Sequence, residues 1–522
     1  MRYPIGIQTF EQIIQDGYVY VDKTDLVYEL VKGGKIYFLS RPRRFGKSLL
    51  LSTLENYFLG RKELFMGLAI EKLEKEWLEY PVFHLSFANG NFTDGKILTQ
   101  ILEDYVAEAE AKYGKNIYAN TLGGRFASVL RAAHEKTGRR AVVLIDEYDK
   151  PMLDVLELDY YVTDSEGNRI KLEDYNRNVL KGFYGVFKDA DKDLQFVLLT
   201  GVTKFSQVSV FSGFNQPDDI SMNRRYEALC GITTEELLTV FDSSIRELAD
   251  DLGLSYDETV GLLKKKYDGY HFGEKMIDIF NPFSILNCFN NLQMRNFWFA
   301  SGTPSYLIRL LAHCNENINE LVGKYYDASQ FIDYKADMEK PLPMIYQSGY
   351  ITIKDYNKRL STYLLDFPNE EVRNGFIDAL ASGYFQGSNS PTSWVIDVTT
   401  SLDNGDTARF EKLMTSLLSS VTYRFQRKQD PIECERYFQC TFYLIVKMLG
   451  FYCTVAEKET SEGRIDCVVE CPGYVYIIEF KLNGSAKAAL KQIEDKGYAK
   501  PYATDNRKLK CLWHLESIEG CA

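Results

Sequence analysis

The sequence predicts an α/β protein with a parallel-sheet domain at the N-terminal end and a second α/β unit at the C-terminal end. Three observations carry that expectation. Short apolar runs at 35–40 (KIYFLS), 81–87 (PVFHLSF), 141–147 (AVVLIDE) and 194–201 (LQFVLLTG) alternate with helical stretches, the pattern of βαβ units. Residues 232–330 lack comparable runs and read as helical. Far down the chain, CTVAEKETSEGRIDCVVECPGYVYIIEFKL is a strand-rich block followed by the helical segment SAKAALKQIEDKGYAK. With 522 residues against roughly 150 per domain, about three domains are expected.

Composition narrows the function classes. At 45% hydrophobic and 26% charged residues the chain is ordinary globular material, not a disordered or fibrous one. The longest apolar runs fall far short of the roughly 18 residues of a membrane span. MRYPIGIQTFEQ shows no secretory signal, so the cytoplasm is the expected location. A net charge of −12 argues against a wholly basic nucleic-acid binder, and any such contact must be local. The ten cysteines form no CxxC pair and, with five histidines, give no zinc spacing; small buried hydrophobes are expected of them.

Along the chain, KIYFLS, RPRRFGKS and LLLSTLENYF place a strand, a tight loop and an amphipathic helix in succession. Phosphate-binding loops need that context, because backbone N–H groups at a helix N-terminus and the helix dipole favour anionic oxygens. Arg44, Phe45 and Gly46 fall within the loop. Gly46 is expected to let the backbone approach, Lys47 to reach the β and γ phosphates, and Ser48 to ligate Mg²⁺. Arg41 stands where the usual pattern asks for its first glycine. Next, AVVLI ends in Asp146 and Glu147, the arrangement in which the first carboxylate holds Mg²⁺ through water and the second orients the attacking water. LQFVLLTG ends in Thr200, a candidate for sensing the γ-phosphate, or simply a strand cap.

Around 335–400, SGYITIKDYNKRLSTYLLDF reads as two strands joined by the polar turn Lys354–Arg359. In the C-terminal block Asp466 precedes Glu479 by thirteen residues, and Lys481 follows at strand spacing. Glu479 and Lys481 then share a face, and a hairpin can bring Asp466 beside them. Two carboxylates suit Mg²⁺, which activates water on a phosphodiester, with the lysine orienting the nucleophile. Alternating Glu and Lys on a solvated strand is the competing reading.

YVYVDKT at 18–24, RPRRFGKS at 41–48, VVLIDEYDKP at 142–151, LLTGVTKFS at 198–206 and YDGYHFG at 267–273 together resemble the bacterial predicted AAA-ATPase-like family. Its members commonly carry a C-terminal PD-(D/E)XK nuclease-superfamily domain, which D-x(12)-E-x-K resembles here. Glu435 and Gln492 resemble accessory positions of that superfamily, though Lys496 stands where a tyrosine is common. The resemblance implies a P-loop ATPase domain at 1–231, a helical lid at 232–334, a winged-helix-like segment at 335–403 and a restriction-endonuclease-like domain at 404–522. It implies ATP or GTP with Mg²⁺ as cofactor. The site residues expected are Arg44, Phe45, Gly46, Lys47, Ser48, Asp146 and Thr200 for the nucleotide, and Ser48, Asp146, Asp466 and Glu479 for metal. Glu147, Asp466, Glu479 and Lys481 are the expected catalytic residues. Nucleic acid, DNA ahead of RNA, is the expected partner, with self-association left open and no membrane. A nucleotide-switched interaction protein with an inactive nuclease fold is the alternative.

Overall fold

The four apolar runs all become strands. The computed structural model describes residues 1–156, 158–164, 167–205, 217–301, 321–332, 341–376, 391–415, 453–460, 463–480, 491, 493–502 and 505–514. The chain divides into two units, Met1–Arg373 and Asn374–Ala522, a division that falls inside the segment expected to be winged-helix-like.

In the first unit, β1 (Ile36–Ser40), β2 (Val82–Ser86), β3 (Ala141–Asp146) and β6 (Leu194–Gly201) build a parallel sheet that the two-residue β7 (Asp218–Asp219) extends. A small hairpin, β4 (Tyr161–Thr163) and β5 (Arg169–Lys171), lies between β3 and β6 in sequence. The sheet order is β2-β3-β6-β1-β7. Every residue of β3 is buried, which is why that run is continuously apolar rather than alternating. Parallel pairing aligns the strand ends: Ser40 lies across from Gly201 and Ser86 from Asp146. The loops that leave β1, β3 and β6 therefore open at one edge of the sheet, where ligands of open α/β sheets gather.

The helical region forms its own core from Leu237, Phe241, Ile245, Leu263, Tyr267, Ile285 and Phe289 among others. Capping boxes at Thr233/Glu236 and Ser255/Glu258 start two of its helices, and the Asn281 side chain accepts from Phe283 N–H and Ser284 N–H to start another at Pro282. The region is not purely helical: β8 (Ile232–Thr233) pairs with β9 (Ile279–Phe280), and β10 (Lys324–Asp327) joins a three-stranded antiparallel sheet. The expected hairpin completes that sheet as β11 (Thr352–Asn357) and β12 (Thr362–Asp366). Its turn is tighter than the sequence suggested. Asp355, Tyr356 and Asn357 pair with Leu364, Tyr363 and Thr362, and Tyr356 stacks on Tyr363 at 4.7 Å, so only residues 358–361 turn. Polar composition marked these residues as loop, but they sit on a half-buried sheet where tyrosine contacts decide.

The second unit contains a mixed sheet, β13 (Cys453–Thr460), β14 (Gly463–Glu470), β15 (Tyr474–Phe480) and β16 (Lys508–His514), in that order. The first two pairings are antiparallel and β15–β16 is parallel, which requires the intervening crossover. Val468, Val475, Ile477, Ile493 and Tyr498 make its core. Among the described residues no helix is long and apolar enough to cross a membrane.

Candidate functional site

The loop at 41–48 leaves β1 and enters a twelve-residue helix, Lys47–Phe58. Its backbone turns sharply, with Arg44 at φ +68° and Gly46 at φ +90°. Only glycine adopts the latter without strain. No protein atom lies within 4 Å of where a Gly46 Cβ would be, so the backbone there faces open space. The first-turn N–H groups of that helix have no intrahelical acceptors.

Opposite that helix start, the ends of β3 and β6 bring a carboxylate between two hydroxyls. Ser48 Oγ donates to Asp146 Oδ2 at 2.6 Å, and Thr200 Oγ1 donates to Asp146 Oδ1 at 2.8 Å. The Glu147 N–H adds a third bond to Oδ1 at 3.0 Å. Asp146 is 4% exposed and Thr200 is fully buried. Residues 48, 146 and 200, far apart in sequence, thus share one carboxylate. Lys47 is also buried, its Nζ donating to the carbonyls of Arg41 (2.9 Å) and Pro42 (3.1 Å). Burial lowers its pKa, against the pull of Asp146, Asp149 and Glu147. Glu147 sits half-buried with φ +53°, a left-handed conformation that costs a non-glycine residue on the order of 1 kcal/mol or more. Its carboxylate has no hydrogen bond among the described residues.

Phe45, expected among the nucleotide-binding residues, turns its side chain inward beneath the loop. It is fully buried, edge-on to Tyr270 (4.8 Å) and Phe272 (5.4 Å), so only its backbone borders the loop mouth. Arg41 shows why a glycine is dispensable at that position. Its side chain turns away from the loop and is 1% exposed. It donates to the carbonyls of Ser40 (2.9 Å), Ser221 (2.6 Å) and Tyr226 (3.2 Å), with its guanidinium 4.1 Å from the Phe272 ring centroid. Arg43 and Arg44 remain exposed, the latter 5.0 Å from the ring of Phe283.

Two residues of VVLIDEYDKP to which the sequence assigned no role have one. Asp149, 1% exposed, accepts from Val202 N–H (2.9 Å) and Thr203 N–H (2.6 Å), and burial raises its pKa to about 6. Tyr148 donates its hydroxyl to Thr203 O at 2.8 Å and accepts from Phe205 N–H. Together they pin the chain that leaves β6 just past Thr200. Lys204, on that chain, pairs with Asp219 at 2.8 Å. The 18–24 motif is structural too: Asp22 accepts from Thr24 and from Ala69 N–H, and Lys23 reaches Glu236 at 2.6 Å. YDGYHFG at 267–273 supplies the rings under Phe45, while His271 bridges Ile353 O and Asp278.

The donor set fits a magnesium nucleotide: a hydroxyl already on a buried carboxylate, a buried ammonium beside helix N–H groups, and a glycine-lined opening. Among the described residues no group of three or more His, Cys, Asp or Glu is arranged to hold a metal by itself. In the second unit, Asp466 lies on β14 and Glu479 on β15. The pairing of the two strands runs from Cys467 opposite Ile478 to Glu470 opposite Val475, so Asp466 and Glu479 each lie one residue beyond its end. Lys481, Glu435 and Gln492 lie outside the described residues.

Comparison with known proteins agrees with this division. Residues 4–211 match the family model of a predicted AAA-ATPase, and residues 433–515 match that of the PD-(D/E)XK nuclease superfamily. An uncharacterized protein in the vnfD 5' region of Azotobacter chroococcum mcd 1 is 35% identical over 524 residues, covering 99% of this chain and 96% of its own. Among solved structures, the Aeropyrum pernix ORC1 protein in complex with DNA aligns with 69% of this chain and 90% of its own. That match has 8% identity and a TM-score of 0.21, too low to carry an argument. The chain therefore belongs to the predicted AAA-ATPase-like family, with an AAA-ATPase-like domain at its N-terminal end and a PD-(D/E)XK nuclease-superfamily domain at its C-terminal end.

Proposed function

We propose that the protein binds a magnesium nucleotide, ATP in the first instance, in the 41–48 loop, hydrolyses it, and couples that cycle to cleavage of DNA or RNA by its C-terminal domain. The observation that carries the reading is the carboxylate of Asp146 held between Ser48 and Thr200 beside the buried Lys47. In this reading Ser48 and Asp146 hold Mg²⁺, and Lys47 exchanges its two loop carbonyls for phosphate oxygens. The N–H groups from Arg44 to Ser48 line the phosphates. Thr200 keeps Asp146 oriented, and Glu147, whose carboxylate has no hydrogen-bond partner among the described residues, positions the attacking water. Bound Mg²⁺ supplies charge neutralisation on the phosphates and lowers the cost of charge in the transition state. In the C-terminal domain Asp466 and Glu479 take a hard divalent ion and Lys481 orients water toward a phosphodiester. What supports the reading is that Asp466 and Glu479 lie on adjacent antiparallel strands, each next to the paired residues Cys467 and Ile478.

The test measures nucleotide binding, turnover and cleavage of single- and double-stranded DNA and RNA by the full chain. Lys47→Ala is expected to lose nucleotide binding. Glu147→Gln is expected to bind normally but turn over at least tenfold more slowly. Wild-type turnover in both would sink the nucleotide assignment. Cleavage that survives Lys481→Ala, or no cleavage with any nucleotide, would favour the switch without nuclease activity, a reading with which the net charge of −12 agrees.

A further inference from the structure

The arginine-rich turn of the loop is gripped from outside its own sheet. Trp298, 6% exposed, donates its indole N–H to the carbonyl of Arg43 at 3.0 Å. The same residue's backbone N–H donates to Glu371 Oε1 at 2.8 Å, and Ser284 Oγ donates to Glu371 Oε2 at 2.7 Å. Glu371 is 1% exposed and sits in the first turn of the helical stretch 370–376, which the Asn369 side chain starts by accepting from Val372 N–H. The boundary between the two units, after Arg373, falls within that stretch. The indole is also set by Tyr350, 5.3 Å away, next to Gly349, where any Cβ would strike Pro42 of the loop. A backbone carbonyl of the loop is thus joined, through one tryptophan and one buried carboxylate, to the helix on which the chain passes from the first unit to the second.

We propose that Trp298 and Glu371 form a relay by which occupation of the 41–48 loop changes the helix at 370–376. The proposal rests on the nucleotide-binding reading above and adds the route by which that state leaves the site. Arg43 lies between a proline and a residue at φ +68°, in the part of the loop that must adjust when phosphate oxygens replace the two carbonyls now held by Lys47. A shift of the Arg43 carbonyl stretches or releases the indole bond. Trp298 cannot follow without disturbing its N–H bond to Glu371. Trp298 and Glu371 are both buried, so water is poorly placed to take over the bond between them. Coupling through such a contiguous hydrogen-bonded chain needs direct evidence of a response at the far end.

The experiment follows amide hydrogen exchange of residues 370–376 in the full chain, with and without the non-hydrolysable analogue AMP-PNP and Mg²⁺, occupancy being measured directly by equilibrium dialysis. In the wild type, saturation is expected to change exchange in this stretch by about tenfold. Trp298→Phe keeps a ring on Tyr350 but lacks the N–H donor. At matched occupancy its nucleotide-dependent change is expected to vanish. A wild type that binds the analogue without any change at 370–376 overturns the relay and leaves the binding reading intact. A variant that responds like the wild type also overturns it, as does one that binds no analogue at any concentration, which would make Trp298 part of the loop's fold. A wild type that binds no analogue overturns both.

Discussion

Replacing Arg41 by glycine would restore the literal phosphate-loop pattern, and the structure predicts that this restoration is harmful. Arg41 spans the carbonyls of Ser40, Ser221 and Tyr226 and lies on the face of Phe272. Hydrogen bonds from a charged donor contribute about 1.5–3 kcal/mol each, and a desolvated cation over a ring roughly 2 kcal/mol. Against these stands the cost of burying a guanidinium, several kcal/mol, whose sign shows in the lowered pKa of Arg41. Arg41→Gly removes both sides of that balance. It leaves the three carbonyls without the guanidinium and opens a cavity beneath the loop. A net loss of about 3–5 kcal/mol follows, from buried carbonyls left without a donor at about 1–3 kcal/mol each and from the cavity, less the desolvation cost that is relieved. Because the chain has more than one unit, a single melting curve is a poor gauge. Amide exchange at β1 and at 217–226, read beside nucleotide affinity, localises the damage. A variant whose protection in β1 is unchanged, and which binds nucleotide as well as or better than wild type, would refute the idea that Arg41 braces the loop.

Thr200→Val removes the hydroxyl that shares Asp146 with Ser48 while keeping the shape of a fully buried side chain; turnover should fall roughly tenfold, the worth of one hydrogen bond to a charged group, with affinity little changed. Steady-state turnover at saturating nucleotide checks this, and an unchanged rate would reduce Thr200 to a strand cap. Burial lifts Glu371 to about 7 from its ordinary 4.5, so the folded state holds its proton more tightly than the unfolded chain. The stability this adds is complete below about pH 4.5 and is lost as pH rises through about 7, up to about 3 kcal/mol in all. The stability of the wild type relative to Glu371→Gln, read from amide exchange at residues 370–376, should therefore fall as pH rises across that window; a difference independent of pH contradicts it. Cleavage, where found, should require Mg²⁺ or Mn²⁺, stop with EDTA, and fail together in Asp466→Asn and Glu479→Gln without a further loss in the double variant. Additive losses would place the two carboxylates on separate tasks.

The central strands of the first sheet were legible because they are buried on both sides and so appear as nearly unbroken apolar runs; β3, buried throughout, is the clearest case, whereas the edge strand β2 alternates and carries His84 and Ser86. The juxtaposition of Ser48, Asp146 and Thr200 followed from parallel register, once three strands were known to end at one edge. What the sequence hid has a common physical cause. The partners of Arg41 lie some 180 residues away, and those of Trp298 lie 73 and 255 residues away, so no local spacing announces them. Asp149 looked like one acid among several because its partners are backbone N–H groups, which carry no residue identity. The narrow turn after Asn357 was hidden by polar residues whose tyrosine neighbour stacks across the hairpin.

The packing around Phe45 bears on how this domain can be cut or shuffled. The family model of its first part ends at residue 211, yet the loop's Pro42 abuts Gly349, Phe45 rests on Tyr270 and Phe272, and Arg41 ends on Ser221 and Tyr226. A chain truncated at 211 would keep every residue that touches phosphate in our reading and lose the floor on which those residues stand. It would expose a phenylalanine and strand a guanidinium, and aggregation is the expected fate. A chimera that joined this loop to a different partner for residues 217–301 is therefore expected to need new residues at 41 and 45 as well.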